Sequence, residues 1–229
     1  EGDKFLDYSM ALRAVTLGYA NEEVNEAAFE QIRLGNNTTR PSLIELEAAE
    51  AMVDLIPGMD MVKFAKNGST VTSGAVKLAR AHTGRKYVAV CRQHPFFSYD
   101  DWFIGSTVIK KGVPDDISRL TIQFDYNDPA SLEKLFEEYE GEISCAILEP
   151  ATNEEPLDNF LQKVKDICHE NGAVFILDEM ITGFRWDLKG AQHYYNVEPD
   201  LCTFGKGIAN GFSVAALMGK REIMDLGSI

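Results

Sequence analysis

Residues 173–178 read Ala173-Val174-Phe175-Ile176-Leu177-Asp178, five apolar side chains closed by an acid. A run this short and this continuously apolar reads as a strand buried on both faces. Just before it, Leu157, Phe160, Leu161, Val164, Ile167 and Cys168 fall at helical spacing. That spacing predicts a helix over residues 157–170, terminated by Asn171-Gly172. A helix that leads straight into a doubly buried strand is the repeating unit of a parallel sheet. Working outward, the pattern recurs. Strands are expected at 87–90, 143–148, near 200–204 and near 213–218, and helices at 22–33, 43–56, 67–82 and 129–139. The fold class is therefore α/β, a mostly parallel sheet with helices on both faces. Ligands of such sheets bind at the carboxyl ends of the strands.

Composition narrows the partners. The chain has 229 residues, of which 45% are hydrophobic and 25% charged, enough to bury a core without covalent staples. Its net charge of −14 repels phosphate backbones and anionic lipid, so neither nucleic acid nor a membrane is an expected partner. Cys91, Cys145, Cys168 and Cys202 are scattered, with no Cys-x-x-Cys pair. Three of the four sit in apolar runs and read as small buried hydrophobes in a reducing, cytoplasmic setting. Neither a signal peptide nor an apolar run of membrane-spanning length is read in the sequence. Glu1-Gly2-Asp3-Lys4 and Gly227-Ser228-Ile229 read as cuts through a longer protein.

Several residues could carry chemistry. Asp178 ends an apolar strand at the mouth of the sheet, where a half-desolvated carboxylate needs a cation or a hydrogen-bond donor. A helix cap or structural ion pair explains it equally well. Lys206 follows Leu201-Cys202-Thr203-Phe204 and lies between Gly205 and Gly207. An apolar setting favours the nucleophilic free amine, and flanking glycines admit a flat ligand. Taken alone, a lysine in a surface turn is the better reading. Asn67-Gly68-Ser69-Thr70 opens a helix, and free N–H groups at a helix start suit a phosphate. A plain N-cap accounts for the same residues. No Gly-Lys-Ser/Thr follows, so this is not a nucleotide P-loop, and no Gly-x-Gly-x-x-Gly supports a nicotinamide site. His94-Pro95-Phe96-Phe97-Ser98-Tyr99-Asp100-Asp101-Trp102-Phe103 could be a ring-stacking platform, core packing or a dimer contact. His94 has no metal-spaced partner among His82, His169 and His193, so no metal site is expected. Glu149-Pro150 sets another carboxylate at the same sheet edge. Together these make a phosphate cradle, a ring stack, a strand-end acid and a glycine-flanked amine, which is what pyridoxal phosphate (PLP) requires.

Asp178-Glu179-Met180-Ile181-Thr182-Gly183-Phe184-Arg185 resembles the Asp-Glu-Val-x-Thr-Gly-Phe-Arg block of class III aminotransferases. Gly190-Ala191-Gln192-His193-Tyr194-Tyr195, Pro199-Asp200-Leu201 and Gly205-Lys206 continue it in register. The resemblance runs from Phe5-Leu6-Asp7-Tyr8 to Arg221-Glu222-Ile223-Met224, and the glutamate-1-semialdehyde 2,1-aminomutase branch is the most similar. It implies an N-terminal segment over residues 1–40 and the large domain of a PLP-dependent transferase of fold type I over 41–229. It further implies that Lys206 forms the Schiff base and that Asp178 keeps the pyridine nitrogen protonated. Met180 would stand for a valine that packs on the ring. Gly68 and Ser69, with Asn67 or Thr70, would bind the phosphate. Phe96 would replace a ring-stacking tyrosine, and Glu149 would lie near the cofactor. A small-molecule amino donor, a carbonyl acceptor and a homodimer come with the family.

Two departures touch the cofactor. The family's Ser-Gly-Thr-Glu-Ala is here Asn67-Gly68-Ser69-Thr70-Val71, and its Tyr-His-Gly is Phe96-Phe97-Ser98. Substrate choice therefore does not transfer. An intermolecular aminotransferase is the leading reading. An intramolecular aminomutase, or an incomplete fragment that only folds or dimerises, are the alternatives. Arg40 could meet a substrate carboxylate, although a structural role reads better.

Overall fold

The computed structural model describes residues 2–36, 38–94 and 96–227. Glu1, Asn37, Pro95, Ser228 and Ile229, and with them the outermost residues of both chain ends, lie outside the described residues. The strands are β1 (Met61–Ala65), β2 (Tyr87–Cys91), β3 (Thr121–Phe124), β4 (Ile143–Leu148), β5 (Val174–Asp178), β6 (Leu201–Phe204) and β7 (Ala215–Gly219). They form one seven-stranded sheet in the order β1-β7-β6-β5-β4-β2-β3. Only β7 runs against its neighbours, pairing antiparallel with both β6 and β1. The other pairs are parallel, so six strands share one direction, and the mostly parallel sheet is as the sequence predicts. The apolar run at 173–178 is β5, in the middle of the sheet.

The helical segments are α1 (Met10–Arg13), α2 (Glu22–Leu34), α3 (Leu43–Leu55), α4 (Gly68–Thr83), α5 (Asp101–Ile104), α6 (Asp115–Ser118), α7 (Pro129–Glu138), α8 (Phe160–Glu170), α9 (Ala191–Tyr194) and α10 (Arg221–Met224). Of these, α1 is a single turn whose four residues all have positive φ. The apolar faces of the longer helices decide the layering. Val71, Ala75 and Leu78 of α4 pack on Val88, Cys145, Ile147 and Ile176 on one face of the sheet. Leu132 and Phe136 of α7, with Phe160, Val164 and Ile167 of α8, pack on Ala89, Ala146, Phe175 and Leu177 on the other. Alternate residues of β4 and β5 thus enter opposite cores, which is why neither strand carries a polar interior residue exposed to water. Met52 and Ile56, at the end of α3, cover Cys202, Phe204, Ala216 and Met218. Before Met52, Val15 is the one buried side chain among the described residues.

Two expectations need correction. The helix expected from residue 157 begins at Phe160. Asp158 and Asn159 have φ of 49° and 58°, so the chain enters through a left-handed turn that throws Leu157 off the helical face. Leu157 is exposed, and its N–H donates to Asn127 Oδ1 at 2.9 Å. The strands β1 and β3 have no counterpart in the sequence reading. Both are edges of the sheet, and each carries half-buried or exposed residues in place of a continuous apolar run.

Candidate active site

Strand direction assembles the site. Because β1, β6, β5, β4 and β2 point the same way, the residues following them emerge along one edge. These are Asn67-Gly68, Gly205-Lys206, Asp178, Glu149 and His94 in sheet order. Pairing fixes their lateral register. Leu148 lies beside Leu177, and Asp178 beside Thr203. Glu179 N–H also donates to Thr203 O at 2.8 Å, which locks the ends of β5 and β6 together.

Asp178 is 1% exposed. Its Oδ1 accepts the Met180 N–H and the Thr203 hydroxyl, each at 3.0 Å. Both bonds fall on one oxygen, and no donor among the described residues reaches the other. Burial pushes its pKa up to about 6 against the opposing pull of the Met180 N–H, Lys206 and Thr203. A carboxylate in this state gains from a cationic ring nitrogen. Lys206 is half-buried, begins a 3-10 turn (Lys206–Ala209) and has a φ of 47°. Among the described residues it has no ion-pair partner.

Helix α4 opens with Asn67 as N-cap, whose Oδ1 accepts the Thr70 N–H and the Thr70 hydroxyl, each at 3.0 Å. Thr70 therefore spends its donors inside the turn. The N–H groups of Gly68 and Ser69 have no acceptor among the described residues, which leaves them to an anion. Met180 explains the two glycines that flank it. A Cβ on Gly68 would lie 3.0 Å from Met180 Sδ, and one on Gly205 would lie 2.5 Å from it. The side chain is wedged between the phosphate-type turn and the lysine loop.

The aromatic segment divides. Phe97, Trp102 and Phe103 are core, while Phe96 is 50% exposed and meets Phe103 edge-on, leaving a face open. A hydroxyl network ties this segment to α4. Trp102 Nε1 donates to Ser73 Oγ at 2.8 Å, and Ser73 Oγ donates to Asp100 Oδ2. Thr72 Oγ1 donates to Phe97 O at 2.8 Å, and the Tyr99 N–H to Ser69 Oγ at 3.3 Å.

Glu149 is 3% exposed, and its Oε2 finds no partner among the described residues. Burial first, then the charge of Asp178, push its pKa up to about 8, while Lys206 and Arg13 pull the other way. At neutral pH it is mostly an acid with a proton to donate. The sequence reading set His94 at the head of the aromatic stretch and found no metal-spaced partner for it, yet His94 holds this residue. Its Nδ1 accepts the Glu149 N–H at 2.9 Å, and burial lowers its pKa to about 4, so the ring is neutral. Glu179 also acquires a role that the motif did not reveal. It accepts the Ala191 N–H at 2.9 Å and the Gln192 N–H at 2.7 Å, capping α9, and takes the Thr182 hydroxyl as well. No group of three or more metal-ligating side chains occurs among the described residues. Arg40 is exposed, and its carbonyl is engaged by the Thr38 hydroxyl.

The donor set fits PLP. Unused N–H groups open a helix at the sheet edge, a buried acid has one free oxygen, and an unpaired lysine emerges from the next strand. This is the architecture of the fold type I PLP-dependent transferases. The model of the class-III aminotransferase family matches residues 1–228, and the chain belongs to that family. Its enzymes use PLP. A glutamate-1-semialdehyde 2,1-aminomutase of Francisella philomiragia is 37% identical over 97% of the chain and 54% of that protein. The aminomutase of Methanococcus vannielii is 35% identical over 98% of the chain and 56% of that protein. The chain thus spans about half the length of the curated relatives it matches. Among solved structures, the FumI protein of Sphingopyxis sp. MTA144, in its PLP internal aldimine form, superposes with a TM-score of 0.88. The two are 32% identical over 98% of this chain and 55% of that one. An omega-transaminase from Sphaerobacter thermophilus also gives 0.88, at 28% identity over 96% of this chain and 54% of that one.

Proposed function

We propose that this chain is the cofactor-binding large domain of a PLP-dependent aminotransferase, with Lys206 as its Schiff-base lysine. It would move an amino group from a small-molecule donor to a carbonyl acceptor. The pairing of Asp178 with Thr203 on adjacent parallel strands supports this reading, because Lys206 follows Thr203 by three residues at the same sheet edge and its charge acts on Asp178. PLP, when bound, supplies an electron sink for the carbanion formed at the substrate carbon. Asp178 would hold a proton at the ring nitrogen through its free oxygen. The Gly68 and Ser69 N–H groups, with the Ser69 hydroxyl, would take the phosphate. Asn67 and Thr70 would shape that turn rather than touch the anion. Met180 would pack on one face of the ring and Phe96 would offer a second. Glu149, carrying its proton at neutral pH, would donate within the site. The Lys206 amine would take the proton from the substrate carbon and return it.

A yellow chromophore in the full-length protein, bleached by borohydride and lost in Lys206→Ala, is the expected result. A full-length protein that binds no PLP sinks the reading. The aminomutase relatives favour a second possibility, an intramolecular transfer. Turnover that needs no added keto acid would select it. Adding an amino acid to the PLP-loaded chain also separates an active domain from an incomplete fragment. The exposed Phe5, Leu6, Tyr8, Leu12 and Leu34 support a homodimer, and four buried unpaired cysteines support a cytoplasmic setting.

A further inference from the structure

One rim of the sheet is open. Strand β3 lies outermost, beyond β2 and three positions from β5. Its pairing fixes which of its backbone groups are in use. The Val88 N–H donates to Leu120 O and the Arg92 N–H to Phe124 O, each at 2.9 Å, with Val88 opposite Thr121 and Val90 opposite Gln123. In this parallel register Leu120, Ile122 and Phe124 face β2. The N–H and C=O groups of Thr121 and Gln123 point away, and none has another backbone partner among the described residues. Their side chains do not cover them. Thr121 Oγ1 donates to Trp102 O, and Gln123 Nε2 donates to Ser106 O at 3.1 Å, both towards the α5 side. Proteins usually guard such an edge with a charge, a proline or a bulge on the strand itself. Thr121-Ile122-Gln123-Phe124 has no charge or proline, and its register with β2 is unbroken.

This edge is the floor of a groove of about 520 Å³. Leu135 of α7 and Tyr139, which follows it, make one wall with Ile122, and that wall is apolar. The other wall comes from α5, α6 and the loops beside them, and it carries Lys110 and Arg119. Arg92, after β2, adds a third cation, against a single acid, Asp115. Three cations from separate stretches thus converge in a chain of net charge −14. Lys110 has no carboxylate partner among the described residues. Arg119 pairs with Asp116, and Arg92 lies 3.6 Å from Asp125, but these four side chains are 36–82% exposed. Pairs this exposed hold their cations weakly. A cationic patch alone would suit any anion. The open strand edge beneath it selects an anion that brings a main chain.

We propose that the β3 edge is a docking site for an extended, acidic peptide segment of a partner protein, which adds to the sheet as a further strand. Main-chain hydrogen bonds to Thr121 and Gln123 hold its backbone. Side chains of a strand alternate, so one set rests on Leu135 and Tyr139 while the other, acidic, meets Lys110 and Arg119. The matching sequence is therefore an alternation of apolar and acidic residues. The site stands apart from the carboxyl edge and does not depend on the aminotransferase reading.

The test titrates full-length protein into a fluorescein-labelled peptide of alternating glutamate and valine and follows fluorescence polarisation. Two control peptides carry lysine in place of glutamate, or proline in place of valine, which removes main-chain donors. The acidic peptide is expected to bind at concentrations at least tenfold below either control. Gln123→Pro removes an outward N–H and spares the bonds to β2, and it should weaken binding at least tenfold. Lys110→Glu combined with Arg119→Glu changes only exposed side chains and should do the same, which decides the matter if Gln123→Pro does not fold. Equal binding of the acidic and proline peptides, or full displacement by inorganic phosphate, would mark a plain anion site and overturn the inference. So would unchanged affinity in the charge-reversed protein, or no binding at millimolar peptide. Self-association of the protein that Gln123→Pro abolishes, without peptide binding, would assign the edge to a second copy instead.

Discussion

Two buried aspartates mark the opposite edges of the sheet. Asp200 precedes β6 and lies 5% exposed at the amino edge, while Asp178 ends β5 and lies 1% exposed at the carboxyl edge. Asp200 is saturated. It accepts the Phe175 N–H at 2.8 Å, faces His169 Nε2 at 2.9 Å and takes the Lys220 ammonium. Burial pushes its pKa up, but those three partners outweigh burial and hold it below the usual carboxylate value. Asp178 has two donors on a single oxygen, and burial wins, raising it to about 6. One acid has been satisfied by the fold, and the other keeps one oxygen without a donor among the described residues. The same residue type is used up by structure at one edge and would be free for chemistry at the other under the proposed function, and the count of partners distinguishes them.

Substituting both acids gives the largest contrast. Asp178→Asn should slow amine exchange about 10²–10³-fold, the usual loss when a preorganised charge is removed. It should leave the urea midpoint of the PLP-free protein unchanged or raised, since a desolvated carboxyl is gone. Asp200→Asn should do the reverse. Removing one partner of a buried pair costs about 3–5 kcal/mol. His169 and Lys220 are 39% and 37% exposed, and solvent screening reduces the loss to about 2–3 kcal/mol. Equal destabilisation by the two substitutions would erase the contrast.

The dependence of stability on pH sharpens it. Asp178 and Glu149 have folded pKa values above their unfolded ones, so between those values the folded state holds the extra proton. Stability therefore falls as pH rises, from about 3.8 to about 6 for Asp178 and from about 4.5 to about 8 for Glu149. Asp200 works in the opposite sense. Its contribution is present above 3.8 and is lost as pH drops through its lowered folded value. The urea midpoint of PLP-free protein should rise as pH is lowered from 8, go on rising towards 4.5 because Glu149 and Asp178 together outweigh the opposing buried His94, and fall again in stronger acid as Asp200 and His94 take up protons. Glu149→Gln should remove the limb between 6 and 8 and leave the region from 6 to 4.5 nearly flat, because there Asp178 and the buried neutral His94 oppose one another. A midpoint that climbs from 6 to 8 would refute the assignment.

The smallest effect belongs to Gly205→Ala. Its φ of −171° suits any residue, so the cost is purely steric, from the clash with Met180. Overpacking of this kind costs about 1–3 kcal/mol, read as a urea midpoint shift. Adding Met180→Ala should restore most of it. A Gly205→Ala protein that is not rescued would place the strain elsewhere.

The carboxyl edge was far more legible in the sequence than the amino edge. Continuous apolar runs announced β2, β4, β5 and β6, and the residue after each run is automatically at the strand mouth. That logic sets Asp178, Glu149 and Lys206 at strand mouths, while the roles expected of them come from the family resemblance. Asp200 could not be recognised as a saturated acid, because His169 and Lys220 reach it from 31 and 20 residues away. The edge strands β1 and β3 lacked a signal because solvent touches them, as Lys63 in the middle of β1 illustrates. The reversed direction of β7 leaves no trace in Ala215-Ala216-Leu217-Met218-Gly219, since a doubly buried strand is apolar whichever way it runs. The turn at Met10–Arg13 was hidden for another reason. It is left-handed without glycine or asparagine, the residues that normally advertise that conformation.

The wedge of Met180 between Gly68 and Gly205 has a geometric consequence. One side chain is the spacer between the turn offered to a phosphate and the loop that presents the amine. If both points hold the cofactor as proposed, the room left between them would be set by the bulk at position 180. With the valine of the resembling block in its place, the gauge would be shorter, and the two anchor points would close up or leave slack. Under the proposed function, the span of the site would then be adjustable at one position, without altering any group that would touch the phosphate or supply the amine.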